Sequence, residues 1–242
     1  MTSGRTLALV GATGGAGTTR LAVEFGATLA RDGADVALFD AAFATQGLAN
    51  HVPGRIEPDC TALVTDSGAD LASGLVDHPA DVPGRLAVCP ARAPFERLAR
   101  AKTPEAAKRL ADLLATASER FDHVLVDTPP VASNPAVAAV DAADRVALVA
   151  PASARGADHL PRMRDRLRDV DAPADSVLAN RAGESSPLTG ADATIPESDA
   201  SAIADIPVCV DPDTEFAPAV ADAVETTLDV TLDLSFPEDG VL

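Results

Sequence analysis

Lysine is nearly missing from this chain. Only Lys102 and Lys108 occur among 19 basic residues, against 37 acidic ones, and the formal net charge is -18. Nucleic-acid phosphates need a cationic face, and each such contact weakens as salt rises, so the composition argues against nucleic acid as the main partner. The arginines between Arg155 and Arg168 do not restore that face, because Asp158, Asp165 and Asp169 alternate with them. Tryptophan and tyrosine are absent, and Ala and Val dominate the apolar set. An acidic, lysine-poor surface of this kind fits a high-salt cytoplasm of the haloarchaeal type, where net charge far from zero is tolerated. Cysteine is scarce too: Cys60, Cys89 and Cys209 are far apart and odd in number, which fits no disulfide framework or metal spacing. They read as buried small hydrophobes. No apolar run approaches the ~20 residues of a membrane span, and the N-terminus has no apolar signal core, so neither export nor a transmembrane helix is expected. His51, His78, His123 and His159 are scattered and form no Cys/His cluster.

What is present is a long alternation of apolar segments and amphipathic ones. Hydrophobic residues make up 47% of the 242, ample for a core, and no repeat or low-complexity stretch divides the chain. Residues 6–10 are a short apolar run ending at Gly11, the pattern of a buried central strand. Residues 18–32 follow as a helix, with Leu21, Phe25 and Leu29 on one face and Gly33 at its end. Residues 35–39, DVALF, make a second strand with Asp40 at its carboxyl end. Strand, glycine turn, helix, strand is a βαβ unit and implies a parallel sheet.

Further on, residues 61–64 and 71–76 are expected as short helices, 85–89 as a strand, 90–94 as a loop and 104–120 as a helix. A strand at 123–126 runs into a turn at Asp127, Thr128, Pro129 and Pro130. A helix at 136–143, a strand at 145–150, a helix at 157–170 and a strand at 176–179 come next. Residues 183–201 are rich in Ser, Thr, Gly, Pro and Asp and read as a long loop. A last strand at 208–210 and a helix carrying Phe216, Val220 and Val224 close the fold, and the acidic tail from Asp229 is expected as an edge strand or disordered. The fold class is therefore α/β: a three-layer, doubly wound, mostly parallel sheet flanked by helices. One domain spans residues 1–228, with a tail of 229–242.

Candidate site residues gather where strands end. Gly14, Gly15, Ala16 and Gly17 form a glycine-rich turn feeding a helix, a layout that offers backbone N–H groups and the positive end of a helix dipole to an anion. Thr18 and Thr19 start the helix, and the Thr19 hydroxyl stands where Mg²⁺ would be met. The strict P-loop pattern G-x-x-x-x-G-K-S/T fails twice, at Ala12 and at Thr18. Asp127, at the end of an apolar strand, is placed to organise Mg²⁺, and Asp40 is a second acid at a strand end. In a parallel sheet these ends share one ligand-binding edge.

Five segments resemble the MinD/ParA family of deviant Walker A ATPases, in order and spacing. ATGGAGTT resembles the family's K-G-G-x-G-K-S/T loop, VALFDAAF its second strand and D-x-D switch, and HVLVDTPP its Walker B strand. VLANR resembles the strand whose Asn-Arg pair borders the adenine, and IPVCVDPDTEFAPAV its final base-pocket segment. The resemblance implies a P-loop NTPase-like fold and ATP or ADP with Mg²⁺ as cofactor. It implies phosphate and base contacts from Gly14, Gly15, Ala16, Gly17, Thr18, Thr19, Asn180 and Arg181, metal contacts from Thr19 and Asp127, and catalytic roles for Asp40 and Asp127. It also implies a positioning or partitioning role through a protein partner, including a second copy across a nucleotide-bridged homodimer.

The departures are as informative. The family's signature lysine is Thr13 here, its loop lysine is Thr18, and the second acid of D-x-D is Ala42. Loss of both cations removes strong charge-assisted contacts to phosphate, so weak or absent hydrolysis is expected unless Arg20 or a partner's arginine substitutes. A chain that has lost its ligand altogether is the remaining alternative. A loop with a small residue in place of lysine resembles the TadZ/CpaE branch. The acidic tail, with Pro237, lacks the basic amphipathic helix by which MinD proper binds membrane.

Overall fold

A computed structural model describes residues 4–66, 68–183, 186–200, 202–212 and 215–237. The chain begins β1 (Arg5–Gly11), α1 (Thr18–Arg31), β2 (Asp35–Asp40), α2 (Cys60–Thr65) and β3 (Val76–Asp77). It continues through β4 (Arg85–Cys89), α3 (Phe95–Ala101), α4 (Pro104–Ser118), β5 (His123–Thr128) and α5 (Asn134–Asp141). It ends with β6 (Arg145–Pro151), α6 (Ala154–Asp169), β7 (Ser176–Ala182), β8 (Ala193–Pro196) and α7 (Phe216–Leu228).

The strands form one eight-stranded sheet in the order β3-β4-β2-β5-β1-β6-β7-β8. Every neighbouring pair is parallel except β3 with β4. The alternation of side chains along β1 explains the layers. Leu7 and Leu9 face one side and pack with Phe25 and Leu29 of α1 and Val220 and Val224 of α7. Ala8 and Val10 face the other side and pack with Val140 of α5 and Leu160 and Met163 of α6. On that second side, Phe39, Val124 and Val126 meet Leu110 and Leu114 of α4. A strand covered on both faces must be apolar throughout, which is how these segments read. The three-layer, mostly parallel architecture expected from the sequence is what forms.

The chain leaves β1 toward β2 on one side and later reaches β6 on the other. The crevice outside the carboxyl ends of β1 and its neighbours is where open α/β sheets take ligands.

Several local expectations are corrected. Asp127 and Thr128 are not in a turn but are the last residues of β5. Residues 71–76 do not form one helix: a 3₁₀ turn at Leu71–Gly74 hands over to β3. Residues 208–210 form a 3₁₀ turn rather than a strand, because the N–H groups of Val208 and Cys209 donate to the buried Glu24 carboxylate at 3.1 and 3.0 Å and so are not free for a sheet. The polar 183–201 stretch contains β8, a four-residue edge strand ending in Pro196, too short to show a period of two. Glu184, Ser185 and Ser201 of that stretch lie outside the described residues. Helix α3, set between Pro94 and Pro104, matches no expected element. The tail from Asp229 to Pro237 makes no strand. Val230, Leu232 and Phe236 pack on the core, and Arg31 of α1 donates to the Ser235 carbonyl at 3.0 Å with its guanidinium 4.6 Å from the Phe236 ring. Residues 238–242 lie outside the description.

Candidate functional site

The loop between β1 and α1 is shaped by two left-handed glycines. Gly15 has φ 77 and Gly17, the residue that caps α1, has φ 88. A side chain at Gly17 is doubly forbidden, because its Cβ would strike the Asn180 amide. Asn180 is buried and donates from Nδ2 to the Ala16 carbonyl at 2.8 Å, tying the end of β7 to the loop. The N–H groups of Gly14, Gly15, Gly17, Thr18 and Thr19 have no protein acceptor among the described residues. They are the unpaired donors of a helix start, available to an anion.

These groups, with Thr45, Asp127, Pro129 and Arg181, surround a cavity of about 290 Å³. A second cavity of about 300 Å³ adjoins it across Gly17 and Arg181, lined by Arg20, Asn180, Pro196, Ser198 and Phe216 among others. Arg181 occupies the seam. The β7–β8 register shifts between Asn180 and Ala182, and Arg181 between them has φ 57. That bulge places its Nη1 3.3 Å from the Gly15 carbonyl.

Asp127 stands at the mouth of the loop. The Thr19 hydroxyl donates to its Oδ2 at 2.6 Å. Burial pushes the Asp127 carboxyl up to about 6, against the smaller opposing effect of the Thr19 hydrogen bond. Asp40 is its Cα partner across the β2–β5 pair. Burial, and then the neighbouring Asp127, hold the Asp40 carboxyl well above the usual carboxylate range, while backbone donors work the other way. Those donors are Ala42 N–H at 2.8 Å to Oδ1 and Ala91 N–H at 3.3 Å to Oδ2. Asp40 thus holds the following loop in place, and Ala42 rather than Asp40 lines the cavity.

Hard oxygen donors suit Mg²⁺. Thr19 and Asp127 fit that ion, and among the described residues the buried Asp127 carboxyl has a single protein donor, the Thr19 hydroxyl. Among the described residues no group of three His, Cys, Asp or Glu side chains is arranged to hold a metal by itself. A cation here would share its shell with phosphate oxygens and water.

Thr13 and Thr18, where the family has lysines, are both buried in the loop. Arg20 does not reach the loop cavity. Its guanidinium donates to the Ala200 carbonyl at 2.6 Å and to Ser198 Oγ at 2.8 Å, and lies 5.1 Å from the Phe216 ring. The one candidate substitute within this chain for the missing lysine is therefore committed to the second cavity. Two histidines that look scattered in sequence are brought together. His51 and His78 both line a cavity of about 640 Å³ beside the turn at 203–211. Only a shared loop arrangement joins them, so no spacing could have revealed it.

No family model and no curated sequence matches this chain. Its fold is nevertheless shared with solved structures. The septum site-determining protein MinD of Pyrococcus horikoshii, complexed with Mg-ADP, aligns with a TM-score of 0.71 at 18% identity, over 91% of this chain and 94% of that one. McdA of Cyanothece in its ATP complex aligns at 0.71 and 19% identity, over 97% and 100%. The MinC:MinD cell division complex of Aquifex aeolicus aligns at 0.73 and 19%, over 96% and 99%. The resemblance to MinD and its relatives thus holds at the level of the fold.

Proposed function

We propose that this chain is a nucleotide-binding protein of the MinD/ParA type. It binds ATP or ADP with Mg²⁺, hydrolyses weakly or not at all, and acts in positioning or partitioning through a protein partner. The observation that carries this reading is the Thr19–Asp127 hydrogen bond at 2.6 Å, set at the mouth of a glycine loop whose Gly14, Gly15, Gly17, Thr18 and Thr19 N–H groups have no protein acceptor among the described residues. The Mg-ADP and ATP complexes of proteins with this fold support it.

In this reading the N–H groups from Gly14 to Thr19 hold the phosphates. The cavity lined by Asn180, Pro196 and Phe216 takes the base, and Arg181 borders both. Asn180 keeps the loop open by holding Ala16. Thr19 and Asp127 hold Mg²⁺, whose chemistry is to neutralise phosphate charge. With Thr13, Thr18 and Ala42 in place of two lysines and an acid, the groups that stabilise charge and orient water during phosphoryl transfer are missing. Arg20, engaged with Ser198 and Ala200, does not replace them. The acidic, lysine-poor composition supports a high-salt cytoplasm as its setting, and the MinC:MinD complex is a precedent for a protein partner on this fold.

The test is calorimetric titration with ATP and Mg²⁺ in molar KCl. Saturable binding that weakens in Asp127→Ala is expected; no binding at saturating nucleotide overturns the proposal. A steady-state phosphate-release assay is expected to give turnover no greater than that of Asp127→Ala. A clear excess over that variant would make the chain an active ATPase.

A further inference from the structure

Phenylalanine is the only aromatic residue here, and the fold buries it: Phe25, Phe39, Phe43, Phe121 and Phe216 are each at most 6% exposed. Phe95 is 85% exposed. It opens α3, on which Leu98 and Ala101 turn inward to the core while the Phe95 ring is left on the surface. A lone apolar side chain on a surface means little. This one has unusual neighbours. Arg55, Arg92 and Arg97, with Pro94, line a cavity of about 550 Å³ beside it, and Arg100 follows one turn along α3.

In a chain of net charge -18, Arg55, Arg92, Arg97 and Arg100 here outnumber the neighbouring Glu57, Asp59 and Glu96, a small local excess of positive charge. Two of the arginines are engaged: Arg97 pairs with the buried Asp59 at 3.0 Å, and Arg55 pairs with Glu57. The exposed Arg92 side chain has no partner among the described residues, its backbone N–H alone being held by Asp59 at 2.7 Å. An exposed aromatic ring flanked by arginine is the composition of a protein-interface anchor. Against the chain's overall negative charge, this patch offers an acidic chain an attractive contact.

We infer that Phe95 and Arg92 form a docking surface for an acidic segment of a protein partner, whose apolar side chains cover the Phe95 ring. The surface is wired to the candidate nucleotide site. Gln46, in the loop that lines the phosphate cavity, donates from Nε2 to the Ala93 carbonyl at 3.2 Å and accepts the Ala93 N–H on Oε1 at 2.9 Å. Asp40 holds the Ala91 N–H, and the Cys60 N–H donates to the Pro90 carbonyl at 2.8 Å. The 90–95 segment therefore moves with the loop at 42–47, so occupancy of the phosphate cavity alters the docking surface. This coupling rests on the nucleotide reading; the docking surface itself does not.

The probe is a fluorescein-labelled synthetic peptide of repeated Glu-Glu-Leu-Leu, with a Lys-Lys-Leu-Leu control. Anisotropy is measured on the full chain without nucleotide, at a KCl concentration that keeps it folded. The glutamate peptide is expected to bind and the lysine peptide not. Phe95→Ser and Arg92→Glu, both surface changes that spare the Arg97–Asp59 pair, should each weaken binding about tenfold with unchanged melting temperature. No binding, equal binding of both peptides, or variants that bind like the parent chain overturns the inference. A parent dimer in sedimentation equilibrium that Phe95→Ser dissociates overturns it in favour of self-association. Adding Mg-ATP should then shift the peptide affinity, and Gln46→Ala should abolish that shift. A chain that binds Mg-ATP without the shift loses the coupling, whereas a chain that binds no ATP refutes the nucleotide reading and leaves the peptide result to stand.

Discussion

The ends of β2 and β5 lie side by side and carry the same residue, yet they do opposite things. Asp40 is completely buried and accepts backbone N–H groups from Ala42 and Ala91, so its oxygens are consumed in fixing two loops. Asp127 is as deeply buried but, among the described residues, receives only the Thr19 hydroxyl, at the edge of a cavity. Both carboxyls are raised by burial, and Asp40 also by Asp127. The lesson is that a strand-end acid becomes a ligand group only when the backbone leaves its oxygens unclaimed.

The largest effect expected separates the two acids outright. Asp40→Ala orphans two buried backbone donors at about 1–3 kcal/mol each, so a loss of roughly 2–6 kcal/mol should appear in thermal unfolding. Asp127→Ala, measured at pH 7 where it also removes a buried charge, should not lower the unfolding temperature, while costing at least about tenfold in Mg²⁺-dependent nucleotide affinity. Equal destabilisation by both would erase the distinction.

Next is pH. The folded chain keeps the Asp127 proton up to about pH 6, whereas an ordinary carboxyl releases it near 3.8. The folded pKa is the higher one, so this group's stabilising contribution is complete below 3.8 and is lost as pH rises through about 6. At about 1.4 kcal/mol per unit, urea denaturation of the nucleotide-free chain should show a fall of at most about 3 kcal/mol over that window. Asp40 adds in the same direction, so Asp127→Asn should reduce the fall without removing it. A stability that rises with pH across this window would contradict the assignment.

Gly17→Ala comes third. Left-handed backbone costs an alanine about 1–2 kcal/mol, and its Cβ would strike Asn180, so nucleotide binding should be lost as the loop shifts. Gly14→Ala meets open space and should preserve the melting temperature, which makes it the control. The smallest effect is a gain. Thr18→Lys restores one cation to the cavity and should tighten nucleotide binding about tenfold by titration. No gain would mean that the loop does not hold phosphate in the family's manner.

The sheet was readable because strands buried on both faces must be apolar runs, and the long helices because one face must recur every three to four residues. Elements lacking those constraints escaped. Helix α3 has seven residues and little core to cover, β8 is a four-residue edge strand, and the 3₁₀ turn at Val208–Val210 owes its shape to Glu24, nearly two hundred residues away in sequence.

The candidate site divides in the same way. Gly14, Gly15, Gly17, Thr19 and Asp127 could be named from local pattern, because a glycine turn and a strand-end acid are short-range features. Three things came only with the fold. Arg20 is turned to Ser198 and Ala200, Arg181 lies on the loop through a β-bulge, and Asp40 is spent on backbone donors. Each depends on which distant backbone group a side chain meets. The sequence by itself therefore determined the layers, the parallel sheet and the glycine loop, since periodicity and glycine conformation are local. Tertiary structure alone decided which charged groups face the cavity and which are used up in building it.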